Sequence, residues 1–138
     1  MVENYGKPLP EPSATTAPFW EAAKRGRLEL QYCSECDSFQ YYPRAICANC
    51  WNENIQWKPC SGRGTVYSFS ICNTAGLPSF KGDVPYVVAM VELREGVRMT
   101  TNIVDCAATE VFIGMEVEAV FEPVTDDCTL VKFRPAAA

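Results

Sequence analysis

Histidine is absent from all 138 residues. Its absence removes three kinds of chemistry from this chain: a zinc hydrolase held by imidazoles, a Ser/His triad and a Cys/His nucleophile. Long apolar runs are missing too. The longest, Tyr86 to Val91, falls far short of the roughly 20 residues that cross a bilayer. Positive charge is scarce, with 12 Lys and Arg against 17 Asp and Glu and a net charge of −5. The opening residues, MVENYGKPLPEP, offer neither the basic stretch nor the apolar stretch of a secretory signal, which leads to the expectation of a cytoplasmic protein. The length suits one ordinary domain or two very small modules.

Against these absences stand 8 cysteines, at positions 33, 36, 47, 50, 60, 72, 106 and 128. Read as disulfides they would allow 105 pairings, but a reducing compartment argues against that use. Four of them form the pattern Cys33-x2-Cys36-x10-Cys47-x2-Cys50. Two thiolates two residues apart converge on one ion, while backbone N–H groups of each tight turn point at the sulfurs. Two such turns complete a tetrahedral Zn–S4 shell. One structural Zn2+ per chain is therefore expected on Cys33, Cys36, Cys47 and Cys50, with an iron centre, a redox pair or disulfides as the alternatives. A shell filled by four thiolates leaves no position for water, so the metal is not catalytic. Cys60, Cys72, Cys106 and Cys128 show no pairing pattern. They read as small buried hydrophobes, with a second metal site as the alternative.

Three segments follow from the texture of the chain. Residues 1–26 read as an extended, proline-marked arm and a short helix. The arm is expected to lie on a partner. Thr15 or Thr16 caps the helix, which runs to about Arg25 with Pro18 in its first turn and Gly26 as terminator. A helix this short is unstable alone, so Phe19, Trp20 and Ala23 need support, with another chain as a candidate. Residues 27–60 read as a rubredoxin-like zinc ribbon, in which LELQY enters the first knuckle and FQYYPRAIC returns to the second. So small a ribbon has little apolar core, and zinc is expected to supply on the order of 10 kcal/mol. The stretch WNENIQWKPCSGRG reads as a connection, with Trp51 and Trp57 packed between modules and Gly62 and Gly64 forming a tight joint.

Residues 61–138 read as a barrel. Five alternating runs, at 65–72, 86–93, 97–104, 115–121 and 129–133, are predicted strands, with Gly96 and Gly114 at turns. Closure removes the edges that so small a sheet would expose, and a five-stranded oligonucleotide-binding (OB) barrel is the leading fold. An SH3-like barrel or an open meander is the alternative. The fold class is thus mainly β. The longest loop, 73–85, carries Phe80 and Lys81 and is the candidate ligand loop; the alternative is that Phe80 folds back on its own barrel.

Ribbons and OB barrels both serve nucleic acids, and the charges test that role. Residues 27–60 hold three basic against four acidic residues, and residues 86–134 hold four against nine. Phosphates need clustered cations. The aromatics here lack interleaved Lys and Arg, so a nucleic-acid partner is not expected. Glu116 and Glu118 lie two apart on one strand face, as a solvated face would, and no acid/base pair emerges. The chain reads as a non-catalytic module.

The ordered set FWEAAKRGRLELQYCSECDSFQYYPRAICANC, WKPCSGRGTVYSFSI, PYVVAMVELREGVRMTTNIV, IGMEVEAVFE and KFRP resembles the family known as domain of unknown function 35. In that family a rubredoxin-like zinc ribbon precedes an acyl-CoA-associated OB barrel, and its four ligand positions fall on Cys33, Cys36, Cys47 and Cys50. The resemblance implies an accessory subunit that docks on a thiolase-superfamily enzyme, or alternatively on a MaoC-like enoyl-CoA hydratase or a thiolase-like aldolase. The helix at Phe19 and Trp20 would pack on the ribbon or on the partner. The partner would supply the catalytic Cys and His, and CoA or acyl-CoA would be a shared ligand. From their place in the longest loop, Phe80 and Lys81 are the candidate contacts for its pantetheine or phosphate. The chain is also similar to small subunits of CoA thiolases in aromatic-compound degradation, including the thiolytic cleavage of benzoylsuccinyl-CoA.

Overall fold

The computed structural model describes residues 6–136; residues 1–5 of the expected arm and residues 137–138 lie outside them. Helix α1 spans Ala17–Lys24. Thr16 stands at its N-cap, but its hydroxyl bonds back to Ser13 and caps no helix N–H. Pro18 is tolerated in the first turn, where its missing N–H costs nothing. The helix ends one residue before the expected Arg25. Gly26, at φ +76°, lets its own N–H reach Ala23 C=O at 2.9 Å and the Arg27 N–H reach Ala22 C=O at 2.9 Å, where the Arg25 N–H also donates at 3.0 Å, which closes the last turn.

Beyond the helix come β1 (Glu29–Cys33), β2 (Ser38–Gln40) and β3 (Ile55–Pro59), joined antiparallel in the order β2-β1-β3. The ribbon is therefore a three-stranded sheet, and the stretch expected to be a plain connection holds its third strand. Ile55 and Trp57 are half-buried while Gln56 and Lys58 are exposed, the period-two alternation of a half-covered strand. Trp57 packs against the core, but Trp51 is 75% exposed and does not lie between modules as expected.

The remaining strands, β4 (Arg63–Cys72), β5 (Tyr86–Leu93), β6 (Arg98–Ile103), β7 (Glu116–Pro123) and β8 (Thr129–Pro135), close into a barrel in the order β4-β5-β6-β8-β7. All pairings are antiparallel except β6 with β8, which meet in parallel at Ile103 and Phe133. That order and that single parallel junction are those of an OB-fold. Along β5, Val87, Ala89, Val91 and Leu93 point inward, with more exposed residues between them.

One core serves both modules. Phe19 of the helix and Leu28 and Leu30 of the ribbon belong to the same buried cluster as Val66, Val91 and Phe133 of the barrel. Helix α1 packs on β1, β7 and β8. Its support thus comes from elements of its own chain. Leu28 and Leu30 add an apolar contribution to the zinc expected to hold the ribbon, because burying such side chains contributes about 1.5–3 kcal/mol each.

The joint between modules is tight for a steric reason. A Cβ on Gly64 would lie 2.4 Å from the carbonyl oxygen of Glu92 on the neighbouring strand. Gly64→Ala is expected to lower the unfolding free energy of the full chain by about 1–3 kcal/mol, read from the shift of its urea midpoint.

Candidate metal centre and barrel groove

The end of β1 and the turn into β2 carry Cys33 and Cys36, and the turn before β3 carries Cys47 and Cys50. Their four sulfurs all lie within 4.8 Å of one another. The edges Cys33–Cys50 and Cys36–Cys47 measure 3.6 and 3.9 Å. A tetrahedron with Zn–S bonds of about 2.3 Å has edges of about 3.8 Å. The donor set, its count and its spacing fit a structural zinc ion.

Each knuckle points backbone N–H groups at its first sulfur: Cys36 N–H at Cys33, and those of Asn49 and Cys50 at Cys47. The residue after each second cysteine, Asp37 at φ +51° and Trp51 at φ +65°, turns the chain in the left-handed region. Side chains add cross-braces that the sequence reading missed. Asn49 Nδ2 lies 3.2 Å from Cys36 Sγ, and Asn52 Nδ2 lies 3.6 Å from Cys33 Sγ. Each asparagine sits on the second knuckle and donates to the first. The only signal in the sequence is their place, between and just after Cys47 and Cys50.

These donors decide how the thiols hold their protons. Burial works against the Cys33 thiolate, yet the Cys36 backbone N–H, the Asn52 side chain and the facing thiols bring its pKa down to about 6. The backbone N–H groups of Cys50 and Asn49 hold Cys47 below the usual thiol range. For Cys50 the Asn52 backbone N–H favours the thiolate, but Cys36, burial, Cys33 and Cys47 together push it up to about 12. A divalent cation replaces the remaining protons with one shared charge.

The other four cysteines do not join this cluster. Cys60 and Cys106 are half-buried against the core. Burial, then Glu95, pushes the Cys60 thiol up to about 12 despite an opposing backbone N–H from Leu30. Burial first, then Glu110 and Asp105, raises Cys106. Neither has the depressed pKa of a reactive thiol.

A second feature opens on the barrel. The loop 73–85 winds a 3-10 turn over Pro78–Asp83, which carries Phe80 and Lys81. Phe80 is half-buried, with its ring centroid 6.1 Å from that of Tyr86. Together they line a groove of about 630 Å³ that continues past Val88, Asn102, Cys106 and Leu130. Lys81 is exposed and stands outside that lining. The arm, expected on a partner, returns to its own barrel here. Lys7 Nζ is 2.7 Å from Asp83 Oδ2 and 5.6 Å from the Phe80 ring centroid. Lys7 and Pro8 thereby form part of the groove wall.

Residues 20–56 match the family described as "ChsH2, rubredoxin-like zinc ribbon domain", and residues 57–122 match "ChsH2, C-terminal OB-fold domain". The chain belongs to the DUF35/ChsH2 family. This DUF35 chain is similar to the "Probable enoyl-CoA hydratase alpha subunit" of Thermomonospora curvata, 36% identical over 94% of this chain and 40% of the relative. It therefore spans well under half of that protein. A "DUF35 domain-containing scaffold protein" of Methanothermobacter thermautotrophicus is 41% identical over 75% of this chain and 78% of its own. A shorter match reaches the "Benzoylsuccinyl-CoA thiolase subunit BbsA" of Geobacter metallireducens, 36% identical over 49% of this chain and 43% of the relative. Among solved structures, the "Ltp2-ChsH2(DUF35) aldolase" superposes with a TM-score of 0.82 at 36% identity, covering 94% of this DUF35 chain and all of that one. No helix among the described residues is long and apolar enough to cross a membrane.

Proposed function

We propose that this chain is a non-catalytic accessory subunit of an acyl-CoA-processing assembly, docking on a thiolase-superfamily enzyme that performs thiolytic C–C cleavage. The observation that carries this reading is a ribbon and barrel matched over 94% of the chain to a hydratase subunit and an aldolase, over 75% to a scaffold protein and over 49% to a thiolase subunit. The hydratase and the thiolase are both named for a CoA thioester, and a part shared between two such reactions serves what they have in common. The lack of histidine supports the assignment of proton transfer to the partner. The hydratase is the second reading of the partner, favoured by a match over 94% of this chain.

Within that role the groove takes an uncharged stretch of the ligand. Both of its lysines are already neutralised, Lys7 by Asp83 at 2.7 Å and Lys132 by Glu122 at 2.8 Å, and Asp105 adds a further carboxylate. A diphosphate gains nothing there, whereas Phe80, Tyr86, Val88 and Leu130 suit a pantetheine arm or an acyl chain. Lys81, exposed on the same turn, is the cation for a phosphate at the rim. The same neutralised lysines argue against a nucleic-acid backbone. Zn2+ on the four cysteines keeps the ribbon in shape and takes no part in the reaction.

The test is co-expression with a thiolase-superfamily enzyme, and in parallel with a MaoC-like enoyl-CoA hydratase, chosen from among the genes that neighbour this one. A complex of fixed stoichiometry, whose turnover falls when the subunit is left out, is the expected result. A chain that stays apart from both enzymes, leaves their turnover unchanged and shifts a labelled oligonucleotide would overturn the reading. Within the complex, Phe80→Ala is expected to raise KM for the acyl-CoA several-fold. An unchanged KM would remove the groove from the ligand path.

A further inference from the structure

The segment that delivers Cys47 to the metal cluster has no strand to hold it. Between the end of β2 at Gln40 and the start of β3 at Ile55 the chain forms only turns and bends. Backbone groups in such a segment still need partners. Two glutamine side chains provide them.

Gln31 lies on β1, two residues before Cys33, and is only 4% exposed. Its amide grips the backbone of Arg44 at both ends. Gln31 Nε2 donates to Arg44 C=O at 2.7 Å, and Arg44 N–H donates to Gln31 Oε1 at 2.8 Å. Gln40, directly opposite Gln31 in the β1–β2 register, continues the pattern. Its Nε2 donates to Gln31 Oε1 at 2.7 Å and to Ile46 C=O at 3.2 Å, while its Oε1 accepts from Ala48 N–H at 2.9 Å. The two amides thus bind alternate residues 44, 46 and 48, as a neighbouring strand would. None of these five bonds passes through a cysteine or needs the metal.

We infer that Gln31 and Gln40 are positioning residues for the metal centre, a side-chain latch that shapes the second knuckle before the ion arrives. The latch has two effects. Less backbone must be ordered when metal binds, so capture is favoured. Cys47 also cannot swing out to release the ion, because Ala48 next to it is tied to β2. Cys33 and Cys47 are buried and Cys36 is half-buried, whereas Cys50 is exposed. With Cys47 latched, the ion exchanges at the Cys50 edge. The inference concerns the ribbon alone and stands whatever enzyme the chain serves.

The test uses the full chain loaded with zinc and mixed with an excess of a chromogenic chelator. Gln31→Leu leaves the Arg44 peptide unpaired, and Gln40→Leu releases Ile46 and Ala48. Loss of partners bonded directly to a metal ligand typically costs 10–100-fold in metal affinity, and the glutamines, which hold the backbone around Cys47 and not a sulfur, are expected at the low end, about 10-fold. Zinc release is expected to quicken by about that factor in each variant. Gln56→Leu makes the same chemical change at an exposed position of the same sheet and is expected to release zinc at the wild-type rate. A second measurement needs no variant. In the reduced, metal-free wild-type chain, hydrogen exchange at the Arg44 and Ala48 amides is expected to stay slower than at Asn54, whose N–H is paired only locally with Asn52. Release rates of Gln31→Leu and Gln40→Leu matching that of Gln56→Leu would overturn the latch. So would full exchange of the Arg44 and Ala48 amides once the metal is gone.

Discussion

Cys47→Ser is expected to empty the metal centre while leaving the barrel folded. Metal content, measured on reduced protein by elemental analysis, should fall from about one ion per chain to near zero. The reason is geometric. The four sulfurs form one compact cluster, and removing one corner leaves the tetrahedral shell a ligand short and open to water. The free energy at stake is on the order of 10 kcal/mol when the reference is an unfolded ribbon. Here that figure is an upper bound, because Leu28 and Leu30 keep β1 in the common core. Amide protection should therefore vanish in the turns at 33–38 and 49–54 and persist at Leu30. Retention of one zinc per chain by the variant would show that three thiolates suffice.

Phe133→Ala is expected to be the most damaging change in the apolar core, at about 3–5 kcal/mol. Phe133 is fully buried at the parallel junction where β6 meets β8, and its carbonyl accepts from Val104 N–H at 2.8 Å. Truncation opens a cavity where the barrel closes. Because Phe19, Leu28 and Leu30 share that core, chemical denaturation should show ribbon and barrel weakening in one transition. Two transitions, with the ribbon's midpoint unmoved, would mean that the modules fold independently.

Features governed by local chemistry were legible in the sequence. The two knuckles announced themselves by ligand type and spacing, and the five barrel strands by alternation between glycine-marked turns. Features that depend on distant partners were not. Strand β3 was hidden because its alternation spans only Ile55 to Pro59 and runs straight into Pro59, Gly62 and Gly64, while its partner β1 lies more than twenty residues upstream. The arm's anchor was equally invisible, since nothing near Lys7 names Asp83. Gln31 reads as an ordinary polar strand residue, and only the fold-back of the loop after β2 makes it a buried one. Trp51 misled for the opposite reason: its size suggested burial, but the knuckle turns it out into solvent.

The shared core has a mechanical consequence. With α1 wedged against β1, β7 and β8 and no flexible tether between the modules, the molecule behaves as a fixed bracket. Any protein that grips the ribbon also sets the direction in which the barrel groove faces. No orientational freedom between the two is left to be lost on assembly, so a contact made at one end aims the other.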